Sequence, residues 1–229
     1  MIITYTRGPG SRVGRKGGPG FGDLVRRQGD AFVAFARNLT DEEWERPSLC
    51  AGWTNKDVLA HLVLGLHLPL PRLMLTMARQ RRTFDAANDL LSRDHASRNT
   101  ARELIDEFDR ARAHPGGIGR LLPAPLMLGD HAIHHLDIAF ALGRSGVLSP
   151  RVTNAVLAVA TRVPNPFIPA ATRARGLTIR STDTLWSRSS DRRLEVVGPG
   201  ESIISVLAGR RHAIADLAGD GVVTLASRL

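Results

Sequence analysis

The sequence predicts a mainly α protein, a four-helix bundle followed by a small α+β C-terminal subdomain, on three observations. The 229 residues are 43% hydrophobic but only 5% aromatic, so the core is built from Leu, Ala, Val and Ile. That mix suits helices better than a β-sandwich. Substantial helical segments up to residue 145 are joined by short to moderate connections, the pattern of a bundle. Beyond them the pattern changes: Gly176-Leu-Thr-Ile-Arg-Ser181 alternates apolar and polar residues, as a half-buried strand does.

Residues 1–20 are rich in Gly and Arg with few core-forming side chains and read as a disordered basic leader, outside the fold. Residues 21–145 are expected to form the bundle. Leu24, Phe32, Val33, Phe35 and Ala36 mark a first helix from Asp23 to about Leu39. Thr54 and Asp57 form a capping-box-like start to a second, continued by Leu59, His61, Leu62, Leu64 and Leu66. Pro69 and Pro71 should kink or break it. A helix over Thr83–Ser92 follows, then one opened by Thr100 and Glu103 and stopped by Pro115-Gly116-Gly117. The last bundle helix spans Ala124 to Leu142 and ends at Gly143.

Residues 146–229 form the expected α+β part. Ser149-Pro150 starts a helix to about Arg162, and Pro164, Pro166 and Pro169 force an irregular stretch. After the strand at 176–181, Arg193–Val197 is a second strand candidate, and Ser202–Leu217 reads as helical with a break at Gly209.

Cys50 is the only cysteine, so no disulfide can form within the chain. No stretch reaches the roughly 18 uncharged apolar residues of a membrane span, and the first residues lack a signal-peptide apolar run. A cytoplasmic protein with no membrane partner is expected. The net charge of +9 is less informative than it looks. Arg7, Arg12, Arg15 and Lys16 of the leader supply +4 of it, and the other arginines are interleaved with acids. Nucleic acid is therefore not an expected partner; a DNA-associated role would rest on the leader alone.

The residues that carry chemistry concentrate on the last bundle helix: Asp130, His131, His134, His135 and Asp137. Asp130/His134 and His131/His135 are i, i+4 pairs, and His134/Asp137 is an i, i+3 pair, so spacing alone permits ligand pairs on two faces. His61 lies one turn into the second helix among Val58, Leu59, Leu62 and Val63, where an imidazole needs a partner. It is the natural third ligand. One carboxylate and two imidazoles suit Zn²⁺ and leave one coordination position open. Asp57 reads as a cap, with orientation of His61 as its alternative. Asp137 reads as a bond within the bundle, Trp44 and Trp53 as packing anchors, and Cys50 as a small buried residue without an activating neighbour in sequence.

Several segments are also familiar. Trp44, then Pro47-Ser-Leu-Cys50-Ala-Gly52-Trp53-Thr54-Asn-Lys-Asp57-Val-Leu-Ala-His61-Leu62, resembles the entry into helix two of the mycothiol-dependent maleylpyruvate isomerase-like family. Asp130-His-Ala-Ile-His134-His-Leu-Asp137-Ile138, with Ala141-Leu-Gly143, resembles its helix-four signature. Gly176-Leu-Thr-Ile179, Asp183, Trp186, Gly198, Leu207-Ala-Gly209-Arg210 and Gly219-Asp220-Gly221 resemble its C-terminal segment. The resemblance implies a DinB-like metal-binding bundle. It implies a divalent metal, taken as zinc, held by His61, Asp130 and His134, with Asp130 standing where the family typically has Glu. It further implies mycothiol as the thiol cofactor and a small-molecule substrate. Arg210 stands where the family has an arginine that could pair with a substrate carboxylate, and is the expected catalytic residue. The expected reaction is thiol-assisted cis–trans isomerisation or S-transfer on a small electrophile. The alternative is a non-catalytic bundle whose altered ligand set binds metal poorly, acting in ligand binding or protein interaction.

Overall fold

The computed structural model describes residues 20–80, 83–165, 167–191 and 194–229. The leader expectation falls on residues 1–19, outside the described residues, as do Pro166 and the Arg193 start of the second strand candidate. The described residues are mostly helical, with one small sheet.

Four long helices make the bundle: α1 (Phe21–Ala36), α3 (Asn55–His67), α6 (Ala101–Ala113) and α7 (Ala124–Ala141). Helix α1 packs on α7 and α6, and α3 packs on α6 and α7. Leucine and alanine fill the space between them, around Phe32, Trp44 and Phe108. Each of three starts is fixed by a complete capping box: Thr40 with Glu43 at the short α2 (Asp41–Glu45), Thr54 with Asp57 at α3, and Thr100 with Glu103 at α6. Asp57 is therefore a cap.

Past His67 the prolines do break the helix, but the chain resumes as α4 (Leu70–Gln80), bent by 119° from α3. Pro71 falls in the first turn of α4, where a missing N–H costs nothing. The helix expected to end at Ser92 runs on as α5 (Phe84–Arg98). The i, i+4 pairs Asp89–Arg93 and Asp94–Arg98 support its last turns, and no breaker precedes Asn99. Glu107 of α6 lies 2.8 Å from His67 Nε2 and 2.8 Å from His95 Nε2, tying α3, α5 and α6 together.

The C-terminal part begins with α8 (Pro150–Ala160) and a short α9 (Ala170–Arg173). A three-stranded sheet follows in the order β2-β1-β3, from β1 (Thr178–Ser181), β2 (Ser187–Arg188) and β3 (Glu195–Gly198). β1 runs antiparallel to β2 and parallel to β3, with Ile179 opposite Val196. The helix expected over Ser202–Leu217 is interrupted. α10 (Gly200–Leu207) ends, Gly209 takes φ +101°, and Arg211–Asp216 forms a 3₁₀ turn before α11 (Gly221–Ala226). That left-handed φ favours glycine and redirects the chain. Helix α7 belongs to both halves: Leu128, Ala132, Ile133 and Leu136 join the core made by α8, the sheet and α10, while Met127 and Ile138 join the bundle core.

The 3₁₀ turn Gly117–Arg120 lies against the end of α3, and a Cβ on Gly119 would stand 2.3 Å from the Leu66 carbonyl oxygen. Gly65, inside α3, has open space where its Cβ would be. Gly119→Ala is expected to destabilise by roughly 1–3 kcal/mol, and Gly65→Ala to stabilise by up to about 1 kcal/mol. Urea unfolding of both variants checks the pair; equal effects would show that the close approach is not what selects glycine at 119.

Candidate functional site

Helices α3 and α7 bring three of the sequence-expected residues together. His61 Nε2 lies 3.7 Å from Asp130 Oδ1, and His134 Nε2 lies 3.6 Å from the same oxygen. Donor atoms of all three side chains fall within 4.8 Å of one another, a group that could hold a metal ion. Asp130, though shorter than Glu, reaches the gap between the two imidazoles.

Each imidazole is anchored by its other nitrogen. His61 Nδ1 donates to Asn88 Oδ1 on α5 at 3.0 Å. His134 Nδ1 donates to Asp137 Oδ2 at 3.0 Å. These bonds leave both Nε2 atoms facing Asp130, the arrangement in which a partner on one ring nitrogen frees the other for a cation. Trp53 flanks His61 at 5.4 Å between ring centroids and is held by a bond from its Nε1 to Asp89.

Behind His134 lies a second group. Asp137 is fully buried, yet its carboxylate accepts four bonds: from Arg210 Nε at 2.8 Å and Nη2 at 2.7 Å, from His134 Nδ1, and from Cys50 Sγ at 3.0 Å. Arg210 spends its third nitrogen on the Ala208 carbonyl. Its fork is thus occupied within the protein. Donor atoms of Cys50, Asp137 and His134 also lie within 4.8 Å of one another. The chemistry argues against that use: His134 would have to turn its Nδ1 lone pair toward an ion while Asp137 is already neutralised by Arg210. The His61–Asp130–His134 group has no such competitor.

The charges follow from this packing. Burial pushes the Asp130 carboxyl up, but the neighbouring His61 and His134 outweigh it and hold it below the usual range. Burial pushes His61 down, and the charge of Asp130 outweighs that, so His61 gains proton affinity. A proton and a cation therefore compete for the same gap. Burial raises Asp137, and the bonds from Arg210 and His134 more than reverse it. Cys50 moves the other way: burial, then the charge of Asp137, pushes its thiol pKa up.

His131 and His135 are not part of the site. They lie on the core-facing side of α7, 3% and 1% exposed, against Phe108 and against Phe32 and Phe35. Burial depresses their pKa values to about 4 and about 3, so both stay neutral. The i, i+4 spacing that made them candidate ligands holds, but helix rotation turns that face away from α3's His61. Sequence reasoning missed Asn88, which carries no spacing signal in mid-helix, and the placement of Cys50, whose partners lie 87 and 160 residues away.

Residues 25–115 match the family described as the mycothiol maleylpyruvate isomerase N-terminal domain. The match covers 91 of the 229 residues. The matched span contains His61 and ends before Asp130, His134 and Arg210. The crystal structure of the mycothiol-dependent maleylpyruvate isomerase aligns with a TM-score of 0.56 at 14% identity, covering 87% of this chain and 91% of that chain. A crystal structure of a histidine-to-alanine mutant of that isomerase aligns with the same values. At this identity the likeness establishes the fold, and it extends beyond the bundle into the C-terminal part. No curated protein matches the sequence. Among the described residues, no single helix is long and apolar enough to cross a membrane.

Two outcomes follow from the Asp137 group. Asp137→Asn leaves the Arg210 charge without its counterion and is expected to cost about 3–5 kcal/mol in urea unfolding; a cost under about 1 kcal/mol would show that the pair is not a structural anchor. Cys50, with its raised pKa, carries less thiolate at pH 8 than a free cysteine, so its alkylation by iodoacetamide should run at least about tenfold slower in the native protein than in urea. Equal rates would contradict the bond to Asp137.

Proposed function

We propose that the chain is a divalent-metal- and mycothiol-dependent enzyme acting on a small electrophilic substrate, by thiol-assisted cis–trans isomerisation or S-transfer. The observation that carries this reading is the convergence of His61 Nε2, Asp130 Oδ1 and His134 Nε2, with both imidazoles anchored through Nδ1. Two neutral imidazoles and a carboxylate are a fitting donor set for Zn²⁺. Ligand atoms on a tetrahedral zinc stand about 3.3–3.5 Å apart for bonds near 2.0–2.2 Å, close to the 3.6 and 3.7 Å seen here. When bound there, a cation supplies an open position that favours thiolate over thiol.

The chain's own residues prepare that position. Asn88 and Asp137 fix the two ring orientations, and Trp53 covers one side of His61. In this reading Arg210 is a positioning residue: it keeps Asp137 ionised and aimed at His134 Nδ1. Residues 21–145 then form the metal-binding part, and residues 146–229 supply Arg210 from a separate α+β part. A low-molecular-weight thiol is the natural co-substrate, and the family match of residues 25–115 supports mycothiol. The working compartment is the cytoplasm, where the single thiol Cys50 stays reduced.

Elemental analysis of purified protein tests the reading. Wild type is expected to carry close to one equivalent of metal, lost in His61→Ala and in His134→Ala. Asn88→Ala is expected to fold normally and to weaken zinc affinity by about 10–100-fold. Absence of metal from wild type after reconstitution with Zn²⁺ would sink the proposal. Metal retained in both histidine variants would move the site elsewhere.

A further inference from the structure

Helix α4 carries more apolar side chains than it buries. Leu73 and Met77 face inward onto Leu64, Leu68, Ala87 and Leu91. Leu70, Met74 and Leu75 are 44, 55 and 48% exposed, and Pro71 and Ala78 are exposed beside them. At 100° per residue these five positions span one continuous outward face of the helix. Contiguous exposed apolar patches mark interaction surfaces.

The flank of the stripe is basic. Arg72 and Arg79 are exposed on its border, and together with Leu75, Leu90, Leu91 and Asp94 they line a shallow depression of about 460 Å³ between α4 and α5. Among the described residues Arg72 makes one loose ion pair, 4.0 Å from Asp94. The sequence continues with Arg81 and Arg82, and residues 58–84 contain no acidic residue.

Three occupants can be weighed by charge and shape. A second copy of this chain, docked about a two-fold axis, would set the Arg72 and Arg79 rows against their own copies. The leader is itself basic, with Arg7, Arg12, Arg15 and Lys16. A bilayer bearing anionic lipids has what both lack, an apolar interior for a convex Leu/Met face and phosphates at the depth where flanking arginines end. We propose that α4 is an interfacial helix that docks this protein on anionic membrane surfaces, without crossing them. The sequence led us to expect no membrane partner, and this proposal departs from that expectation.

Co-sedimentation of the full chain with vesicles tests this. Wild type is expected to bind vesicles containing phosphatidylglycerol at least tenfold more tightly than pure phosphatidylcholine vesicles, with binding weakened by salt. The double variant Met74→Glu, Leu75→Glu alters exposed positions only. It should keep the wild-type melting curve and metal content and lose vesicle binding at least tenfold. No preference for anionic vesicles in wild type would overturn the proposal. So would light scattering that shows a wild-type dimer converted to monomer by the double variant, which would assign the face to a second copy.

Discussion

An ionised carboxylate with no solvent exposure persists only if its surroundings replace the water it has lost, and Asp137 sets that demand at the centre of this molecule. The guanidinium of Arg210 meets it from the C-terminal part, the imidazole of His134 from the same helix, and the Cys50 thiol from the loop ahead of α3. Three distant stretches of chain thus converge on one pair of oxygens. The orientation of His134, and with it the gap shared with His61 and Asp130, is a by-product of satisfying that charge. Because partners of a buried charge cannot be removed one at a time without leaving another unpaired, the group behaves as a unit.

Helix α7 can hold this arrangement because it is buried on most of its circumference. One side closes the bundle and the other floors the C-terminal core. A helix in that position has little room for polar groups, which explains the contrast among its histidines. His134 faces a polar partner on each ring nitrogen. His131, three residues before it, and His135, one residue after it, sit against aromatic rings; His135 Nδ1 meets only Gln28, and His131 Nδ1 and His135 Nε2 are left without a partner among the described residues. Neutrality lets them remain there.

How much of this was legible in the sequence depends on the range of the interaction. Thr54–Asp57 and Thr100–Glu103 are local devices, and the starts of α3 and α6 followed from them. The i, i+4 relation of Asp130 and His134 is equally local. His61 was readable through its cost, an imidazole in an aliphatic helix. The helical turns of α4 were not readable because Pro69 and Pro71 signal a break without saying that a helix resumes. The partners Asn88, Cys50 and Arg210 were not readable as such: their bonds span 27, 87 and 73 residues, and no local pattern encodes which side chains a bundle will bring face to face. Arg210 stood out in a Gly-Arg turn, but that its fork turns inward to Asp137 depends on how α10 docks against α7.

The Arg210–Asp137 pair also has a temporal meaning. A ribosome adds about 5–20 residues per second, so the counterion for Asp137, 73 residues further along, is made roughly 4–15 s after it. Until then Asp137 lacks its Arg210 counterion. The gap between α3 and α7 reaches its final shape only when the last part of the chain has docked. Completion of synthesis is thereby written into the site itself: a chain cut short before Arg210 keeps His61, Asp130 and His134 in its sequence but lacks the charge that steadies Asp137 against His134.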